Sequence, residues 1–419
     1  MEDIKGNDIM TTKICKEGLC TACGACETIC PKKCIERVSH TDSIGMEKGD
    51  ACIQCGLCEN VCPVNNKTRK NTPIHAYMAY ATDDGIRKKS ASGGIAAELY
   101  GLCLNDGYYI AGAEMTDTFE CHFKVTNHKE DIQGFQNSKY TYSFLDNTLK
   151  VVKQKLDNDE KVLFIGLPCQ AAALRNYLST TKTNTENLFV GDIICHGTPH
   201  PDYLKEHIQS ISTKTGKTID TCFFRDPKYG TQNYVFSLYH EQVKLAYQSK
   251  VDKHDLYQIG YHKALIYREC CYSCEFAQFD RVGDFTLGDY HVKEVDECDV
   301  DIVKKSLILI NTPKGKEFIE KAAAKNSIII LERPLQEPRA GEPQLRRPSV
   351  AGPERTVFLS EYEKTKDFDK AAAIAFKRIV LRRKLKLDKT ILSAKMVVKK
   401  LIPRKLYRKV KVAIKGEEN

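Results

Sequence analysis

Eight cysteines near the beginning of the chain occur in two copies of one pattern, C-x2-C-x2-C-x3-C-P. The copies consist of Cys20, Cys23, Cys26 and Cys30, and of Cys52, Cys55, Cys58 and Cys62. Three cysteines at this spacing wrap a tight loop around one 4Fe-4S cubane, and the fourth, before proline, binds the other cubane. The pattern therefore predicts two clusters, one on Cys20, Cys23, Cys26 and Cys62, the other on Cys52, Cys55, Cys58 and Cys30.

Zinc and disulfide bonds are the competing interpretations of these cysteines. Zinc motifs usually supply C-x2-C pairs separated by a longer loop, and a disulfide framework needs an oxidising compartment. The polar N-terminus does not resemble a secretory signal, so the 19 cysteines favour metal chemistry in a reducing cytoplasm. Gly24 and Gly56 stand between the second and third cysteine of each copy, where the backbone must pass close to the cluster.

Four cysteines later in the chain could hold a third cluster. Cys169 and Cys195 each follow a short apolar strand and precede a helix-prone segment. Such strand–loop–helix units predict a parallel α/β sheet, whose ligands collect at the carboxyl ends of the strands. Cys271 and Cys274 form a C-x2-C pair beside Cys270. The pair alone also fits a zinc half-site or a redox pair, and unreactive buried cysteines are the plain alternative.

A serine- and glycine-rich turn, SASGG at 90–94, precedes an apolar helical segment at 95–104. Free backbone N–H groups at such a helix start suit a phosphate or pyrophosphate. A serine-capped helix with glycines in a turn explains the same residues without a ligand. Farther on, residues 222–240 show the alternation of β-type residues, broken by turns, that predicts an antiparallel section. The proline-rich residues 331–358 predict an extended surface connection.

Length and charge set limits on the function. The 419 residues, 42% of them apolar, predict roughly two to three soluble domains, and the chain has no apolar run long enough to cross a membrane. The net charge is +9, yet residues 377–415 alone contain sixteen Lys or Arg against one acid, Asp388. The rest of the chain is therefore acidic, and nucleic-acid binding across the fold is not expected.

The basic tail is predicted to be helical. Leu381, Leu385, Leu392 and Met396 step by four, seven and four residues and form one apolar stripe, and Pro403 separates a second helical segment. A basic amphipathic helix of this kind can lie on anionic lipid headgroups at the inner face of a membrane. The alternatives are a stripe packed back against the body of the protein and an acidic partner protein.

Five stretches in this order resemble one family: SASGG (90–94), GLPCQ (166–170), DIICHGTPHP (192–201), FRDPKYG (224–230) and CYSCEFAQFDRVGDFTLGDY (271–290). The resemblance is to the family of coenzyme F-420 hydrogenase/dehydrogenase beta subunits, here behind a two-cluster ferredoxin domain. It implies an FAD-binding flavoprotein with a further 4Fe-4S cluster that exchanges electrons with a hydride carrier. That carrier is the deazaflavin coenzyme in methanogens, while related enzymes reduce other organic substrates, and copies with a ferredoxin front end occur among polysaccharide-synthesis genes.

The resemblance also implies site residues. The four cysteines that match the family's cluster positions are Cys169, Cys195, Cys271 and Cys274, whereas Cys270 stands where the family has a non-ligand. The residues that match the flavin site are Ser92, Gly93, Gly94, Lys139 and Tyr140. No residue is assigned as catalytic, although His196 is the candidate for a proton role, with a structural role as its alternative. The cysteines left without a role are Cys15, Cys34, Cys103, Cys121, Cys222, Cys270 and Cys298.

The expected function is that of an iron–sulfur oxidoreductase. Electrons would pass from a donor protein through the ferredoxin clusters, the third cluster and FAD to an organic substrate, which could be a sugar- or lipid-linked intermediate. The alternatives are an electron-transfer subunit serving a separate enzyme, and a scaffold stabilised by its clusters. The expected architecture is mixed α/β, with a ferredoxin domain at 11–66, an FAD/Fe-S domain at 73–335, a proline-rich connection at 336–365 and the basic tail at 366–416.

Overall fold

Each cysteine triplet runs into a short helix that begins after a glycine with a left-handed backbone. Helix α1 (Ala25–Ile29) follows Gly24, whose φ is 74°, and helix α2 (Leu57–Val61) follows Gly56, whose φ is 75°. The antiparallel hairpin of β1 (Ile35–Ser39) and β2 (Ile44–Lys48) separates them. The computed structural model describes residues 13–291 and 304–385, and its mixed α/β architecture confirms the predicted fold class.

The remaining strands form two sheets. They are β3 (His75–Ala81), β4 (Tyr109–Met115), β5 (Cys121–Thr126), β6 (Ser143–Phe144), β7 (Val162–Gly166), β8 (Leu188–Ile193), β9 (Thr221–Phe223), β10 (Val235–His240), β11 (Lys244–Lys250), β12 (Phe285–Asp289), β13 (Ser306–Ile310) and β14 (Ile328–Arg333). A nine-stranded sheet has the order β14-β3-β13-β12-β8-β7-β4-β5-β6, and a three-stranded antiparallel sheet has the order β11-β10-β9.

The remaining helices cover these sheets. They are α3 (Asp84–Lys89), α4 (Ile95–Asn105), α5 (Ile132–Phe135), α6 (Thr148–Asp157), α7 (Pro168–Thr180), α8 (Pro201–Thr215), α9 (Leu256–His262), α10 (Pro313–Ala324), α11 (Gln336–Gly341), α12 (Glu354–Thr365), α13 (Phe368–Ala375) and α14 (Lys377–Lys384). Proline occupies the first turn of α7, α8 and α10, where its missing N–H costs no hydrogen bond.

The large sheet is parallel at its centre and in the edge pair of β5 and β6. Strands β4, β7, β8 and β12 pair in parallel, as the strand–loop–helix units predicted. Strands β5, β13, β3 and β14 add antiparallel pairs on the two sides, so the sheet as a whole is mixed. Strands β4 and β5 are joined by a tight turn that closes with a hydrogen bond from Thr116 N to Glu120 O, and so short a connection allows only antiparallel pairing.

The proline-rich segment is not the extended connection that its composition predicted. It contains α11 and the start of α12, and Phe358 on α12 is completely buried against Tyr203 and Phe368. Helices α12 and α13 thereby pack on α8 and share its core. The packing of Phe358 on side chains of other helices stabilises this local conformation, which composition alone could not anticipate.

The basic tail is described as far as residue 385. Leu392, Met396 and Pro403 lie outside the described residues, as does Cys298. Within residues 13–291 and 304–385, no helix has the length and apolar character that crossing a membrane requires.

A buried ion-pair network fastens α13 to the body. His207 on α8 donates to Asp369 of α13 at 2.6 Å and to Asp255 at 3.0 Å. The two carboxylates overcome the effect of burial and raise the pKa of His207 to about 9. Ser210 also donates to Asp369 at 2.6 Å, so one carboxylate joins two helices.

We expect this network to lose its stabilising effect at alkaline pH. Because the folded pKa of His207 exceeds its unfolded value, the contribution is full below about pH 6.5 and disappears as the pH rises through about 9. It is worth on the order of 3 kcal/mol. Urea unfolding at pH 6.5 and 9.5 measures the difference, which should be largely absent in His207→Gln. Equal pH dependence in both proteins would contradict the expectation.

Candidate metal centres and adjoining pocket

The outer ferredoxin cage consists of Cys30, Cys52, Cys55 and Cys58, which line one small hollow. Cys30 comes from the first motif and the other three from the second, so the structure brings together the crossed set that the spacing predicted. Cys55 is exposed, and the neighbouring Ile53 is 57% exposed. This cage therefore opens to the surface, where another protein can approach it.

The inner ferredoxin cage consists of Cys20, Cys23, Cys26 and Cys62. Burial, followed by the neighbouring Cys62 and Cys20 thiols, raises the pKa of Cys23 to about 12. Cys23, Cys26 and Cys62 also belong to the hydrophobic core that includes helix α7 of the large domain. The inner cage is thus the ferredoxin site that faces the rest of the protein.

The third cage consists of Cys169, Cys195, Cys271 and Cys274, which line a hollow of about 40 Å³. Cys169 lies in the first turn of α7 and Cys195 two residues after the end of β8, at the carboxyl ends of two parallel strands. Burial and the neighbouring thiols raise the pKa of Cys195 to about 12 and that of Cys274 to about 11. The pKa of Cys271 is instead lowered to about 6, chiefly by its hydrogen bond with Cys270 and also by the nearby Arg268. Four cysteines around one hollow suit one cubane.

Each cage has a fifth cysteine that spacing did not assign. Cys15 contacts Cys20 and Cys62 of the inner cage, the Cys34 sulfur lies 3.5 Å from that of Cys30, and Cys270 lines the third cage. The sequence feature that could have indicated all three is the same, because each cysteine stands just outside a recognised motif. In contrast, Cys103 and Cys121 are buried in the hydrophobic core, and the partly buried Cys222 packs against an apolar cluster.

The described residues contain no group of three or more His, Cys, Asp or Glu side chains that could hold a single metal ion. A cubane needs a different arrangement of ligands. Each thiolate binds its own iron, so the four cysteine sulfurs stand farther apart than the ligands of a single metal ion.

A pocket of about 460 Å³ adjoins the third cage. Ser92, Gly94, Lys139 and Tyr140 line it, together with the first turn of α4. Gly93 does not line the pocket: its N–H donates to Ser306 Oγ at 3.0 Å, and a Cβ there would lie 2.5 Å from a carbonyl of β3. Gly94 caps α4 with a φ of 86°, so the start of this helix, with its free N–H groups, borders the pocket.

Lys139 is the most distinctive charge in the pocket wall. Its only hydrogen bond within the described part of the chain is from Nζ to Gln136 O at 2.9 Å. Burial lowers its pKa to about 8. Arg225, the other strong cation of the wall, is already paired with Asp289 at 2.9 Å. Lys139 is therefore the cation available to an anionic ligand.

One loop separates the pocket from the third cage. Residues 195–198 line both, and His196 within it is 47% exposed. Gly197 has a φ of 130°, and a Cβ there would lie 2.3 Å from the Tyr267 ring, so only glycine fits. This loop leaves little room between a ligand in the pocket and a cluster on Cys195.

Two further residues of the pocket were missed by the sequence analysis. Glu342 is 4% exposed, and one of its oxygens accepts from His291 Nε2 at 2.8 Å. The other oxygen has no hydrogen-bond partner and lies 4.0 Å from His196 Nε2. His291 directly follows the recognised GDY residues, which was the available signal, whereas Glu342 stands in a segment interpreted as a surface connection.

The same proline-rich segment covers the third cage. Gln344, Pro348 and Ser349 line the hollow, and Ser349 donates to His196 O at 2.6 Å. The segment therefore belongs to the site.

Comparison with known proteins finds matches for two parts of the chain. Residues 159–334 match a family described as the C terminus of the coenzyme F420 hydrogenase/dehydrogenase beta subunit. Residues 19–66 and 48–108 each match a model described as a 4Fe-4S dicluster domain.

Two similar proteins come from methanogens. A subunit of the F(420)H(2) dehydrogenase of Methanosarcina mazei is 24% identical over 207 residues, which are 47% of this chain and 58% of the relative. A chain of the xenon-derivatised F420-reducing [NiFe] hydrogenase complex from Methanosarcina barkeri superposes with a TM-score of 0.41 at 18% identity, covering 76% of this chain and 92% of that one. The chain thus spans little more than half the length of the dehydrogenase relative. Residues 159–334 are thus similar to the C terminus of coenzyme F420 hydrogenase/dehydrogenase beta subunits, and a segment similar to 4Fe-4S dicluster domains precedes them.

Proposed function

We propose that this chain is an iron–sulfur flavoprotein oxidoreductase with three 4Fe-4S clusters and one FAD. The observation that carries the proposal is the loop 195–198, which lines both the third cage and the 460 Å³ pocket. Clusters carry single electrons and a flavin can collect two, so the combination links one-electron donors to two-electron organic chemistry.

The pocket wall supports FAD as the ligand. Its volume lies within the range of about 300–1,000 Å³ usual for cofactor sites. Lys139 and the start of α4 offer a cation and free N–H groups of the kind that bind a pyrophosphate. Ser92 has its hydroxyl 2.8 Å from that of Ser306 and so helps to hold the turn that presents these N–H groups.

We propose Glu342 and His291 as the acid–base pair at the substrate end of the pocket. The unpartnered Glu342 oxygen calls for an O–H or N–H donor, because a buried acceptor without a hydrogen bond is unfavourable. A hydroxyl-bearing substrate, such as a sugar-linked intermediate of polysaccharide synthesis, supplies that donor. The dehydrogenase relative is named for F420, and the deazaflavin coenzyme is therefore the competing substrate to test.

The test is an anaerobic inventory of iron, acid-labile sulfide and flavin in the full-length chain. We expect about twelve irons, from three cubanes, and one FAD per chain. About eight irons without flavin would leave only the ferredoxin domain loaded and would overturn the enzyme proposal.

An electron-transfer subunit without its own substrate is the second candidate, favoured by the naming of the M. mazei relative as one part of a dehydrogenase. The exposed outer cage then receives electrons from, or delivers them to, a partner protein. Turnover of a small molecule by the isolated chain supports the oxidoreductase. Reversible cluster reduction without any turnover supports the electron-transfer role, and irreversible loss of the fold on reduction supports a scaffold.

We further propose that the tail binds an anionic membrane surface at the cytoplasmic face. Ile374, Leu381 and Leu385, spaced seven and four residues apart, are 53%, 53% and 59% exposed, while Phe376 and Ile379 pack inward. The apolar stripe is therefore not packed back on the body in its described part, and basic residues of α14 flank it.

We expect the double variant Leu381→Gln, Leu385→Gln to bind anionic vesicles about tenfold or more weakly, because each lost apolar contact costs about 1.5–3 kcal/mol when fully buried. Flotation with phosphatidylglycerol vesicles measures the partition, and added salt should weaken it. Val350→Gln, which alters an exposed apolar residue elsewhere, is the control. Equal flotation of all three proteins would refute membrane binding through this stripe.

A further inference from the structure

Arg268 lies between the inner ferredoxin cage and the third cage. Its side chain is 1% exposed. The guanidinium donates from Nη1 to Thr21 O at 3.0 Å, next to Cys20 of the inner cage. From Nε and Nη2 it donates to Thr198 Oγ1 at 3.3 and 3.1 Å. One side chain therefore contacts a backbone segment of each cage.

Aromatic packing fixes the guanidinium in this position. Its carbon lies 3.9 Å from the centre of the Tyr142 ring. The Tyr142 hydroxyl donates to the carbonyl of Ala22, the residue after Thr21, at 2.8 Å. Thr198 in turn donates its backbone N–H to Cys271 Sγ at 3.5 Å. The inner cage and the third cage are thus joined through Thr21, Arg268 and Thr198, which we name the arginine bridge.

Arg268 lacks the carboxylate that other buried arginines have. Arg281, 2% exposed, is paired with Asp192 at 2.8 Å, and Arg355 is paired with Asp42 at 2.6 Å. Within residues 13–291 and 304–385, no Asp or Glu forms an ion pair with Arg268. Burying an uncompensated guanidinium is strongly unfavourable, so its negative counterpart must be another group that it faces.

The groups it faces are cluster ligands. Thr21, Arg268 and the cysteines of the third cage line the same hollow, and Cys20 and Cys23 stand on either side of Thr21 in the inner cage. Four thiolates around a cubane leave a net negative charge, which increases when the cluster gains an electron. A fixed cation beside two such sites stabilises the reduced state of both.

We propose that Arg268 is the shared counter-charge of the inner and third clusters and the hydrogen-bonded bridge for electrons between them. The inference rests on the proposed third cluster. In each transfer one cluster loses one electron and the other gains it, with no bond broken. Arg268 exchanges no proton, because its guanidinium stays protonated at any pH a protein tolerates.

The test is an EPR-monitored redox titration of the anaerobically loaded full-length chain. In Arg268→Gln we expect both clusters to become harder to reduce. At a fixed applied potential, the ratio of reduced to oxidised cluster should fall about tenfold, which is equivalent to a shift of 59 mV in the midpoint potential of a one-electron couple. Arg268→Lys keeps the charge and should stay close to the parent potentials. Arg175→Gln is the control, because Arg175 lies on the helix that carries Cys169 and is paired with Asp284 at 3.1 Å.

The bridge itself is tested separately from the charge. Thr198→Val removes the Oγ1 acceptor, and freeze-quench EPR after mixing with dithionite should show slower passage of electrons between the two clusters at nearly unchanged potentials. Thr198→Ser retains the hydroxyl and should behave like the parent.

Iron content distinguishes the failures. Parent protein with about eight irons overturns the third cluster and the inference with it. With about twelve irons present, unchanged potentials in Arg268→Gln, or a shift of one cluster only, overturn the shared role of Arg268 alone. If Arg268→Gln cannot hold its clusters, the comparison of Thr198→Val with Thr198→Ser tests the proposal instead. Equal rates of electron transfer between the two clusters in these variants would overturn the bridge.

Discussion

Cys274→Ser is expected to lower the iron content from about twelve to about eight per chain while leaving the ferredoxin clusters in place. Cys274 lines the third cage with Cys169, Cys195 and Cys271, and a cubane that lacks one of four thiolates is not retained. The ferredoxin cages draw on other cysteines and other backbone segments. Their EPR signals on reduction should therefore persist. Cys169→Ser should give the same loss.

The fifth cysteine of the third cage and an unrelated buried cysteine provide the controls. Cys270→Ser tests whether the cysteine beside Cys271 is a ligand, and we expect it to retain about twelve irons. Cys103→Ser alters a cysteine that is 3% exposed in the core near α4 and should also retain them. Unchanged iron in both Cys169→Ser and Cys274→Ser would end the third-cluster proposal.

The spacing of residues along the chain was sufficient to predict those parts of this protein that are determined by neighbouring residues. The crossed exchange of Cys30 and Cys62 between the two ferredoxin cages follows from the repeat of one motif, and the strands before Cys169 and Cys195 follow from short apolar runs. Both predictions depend little on the rest of the fold, because the loop around a cubane and a buried parallel strand each have few alternative conformations.

The features that were missed depend on contacts between distant residues. Glu342 reaches His291 across about fifty positions of sequence, and Arg268 joins Thr21 to Thr198. Phe358 turns part of a proline-rich segment into helix by packing on α8. Composition recorded only that this segment has many prolines. No spacing pattern in a single sequence reveals contacts between residues so far apart in the chain. These contacts could therefore be recognised only in the folded structure.

Lys139→Met is expected to weaken FAD binding by about tenfold to a hundredfold, which corresponds to losing one hydrogen bond to a charged group. Lys139 has Gln136 O as its only hydrogen-bond partner among the described residues and stands in the wall of the 460 Å³ pocket. In the proposed complex, the anionic pyrophosphate of FAD would supply a counter-charge for the Lys139 ammonium. Quenching of flavin fluorescence on titration of the apoprotein, performed anaerobically, measures the dissociation constant.

The pH dependence of binding is the sharper test of this role. In the empty pocket burial lowers the pKa of Lys139 to about 8, and an adjacent phosphate raises it again. Below pH 8 the ammonium is present before and after binding, so the dissociation constant should be flat. Above pH 8 a proton must be taken up with FAD, and affinity should fall by up to about tenfold per pH unit. Lys139→Arg, which remains charged, should remove this dependence and retain the affinity. A flat profile in the parent protein, or the same slope in Lys139→Arg, would mean that another group binds the phosphates.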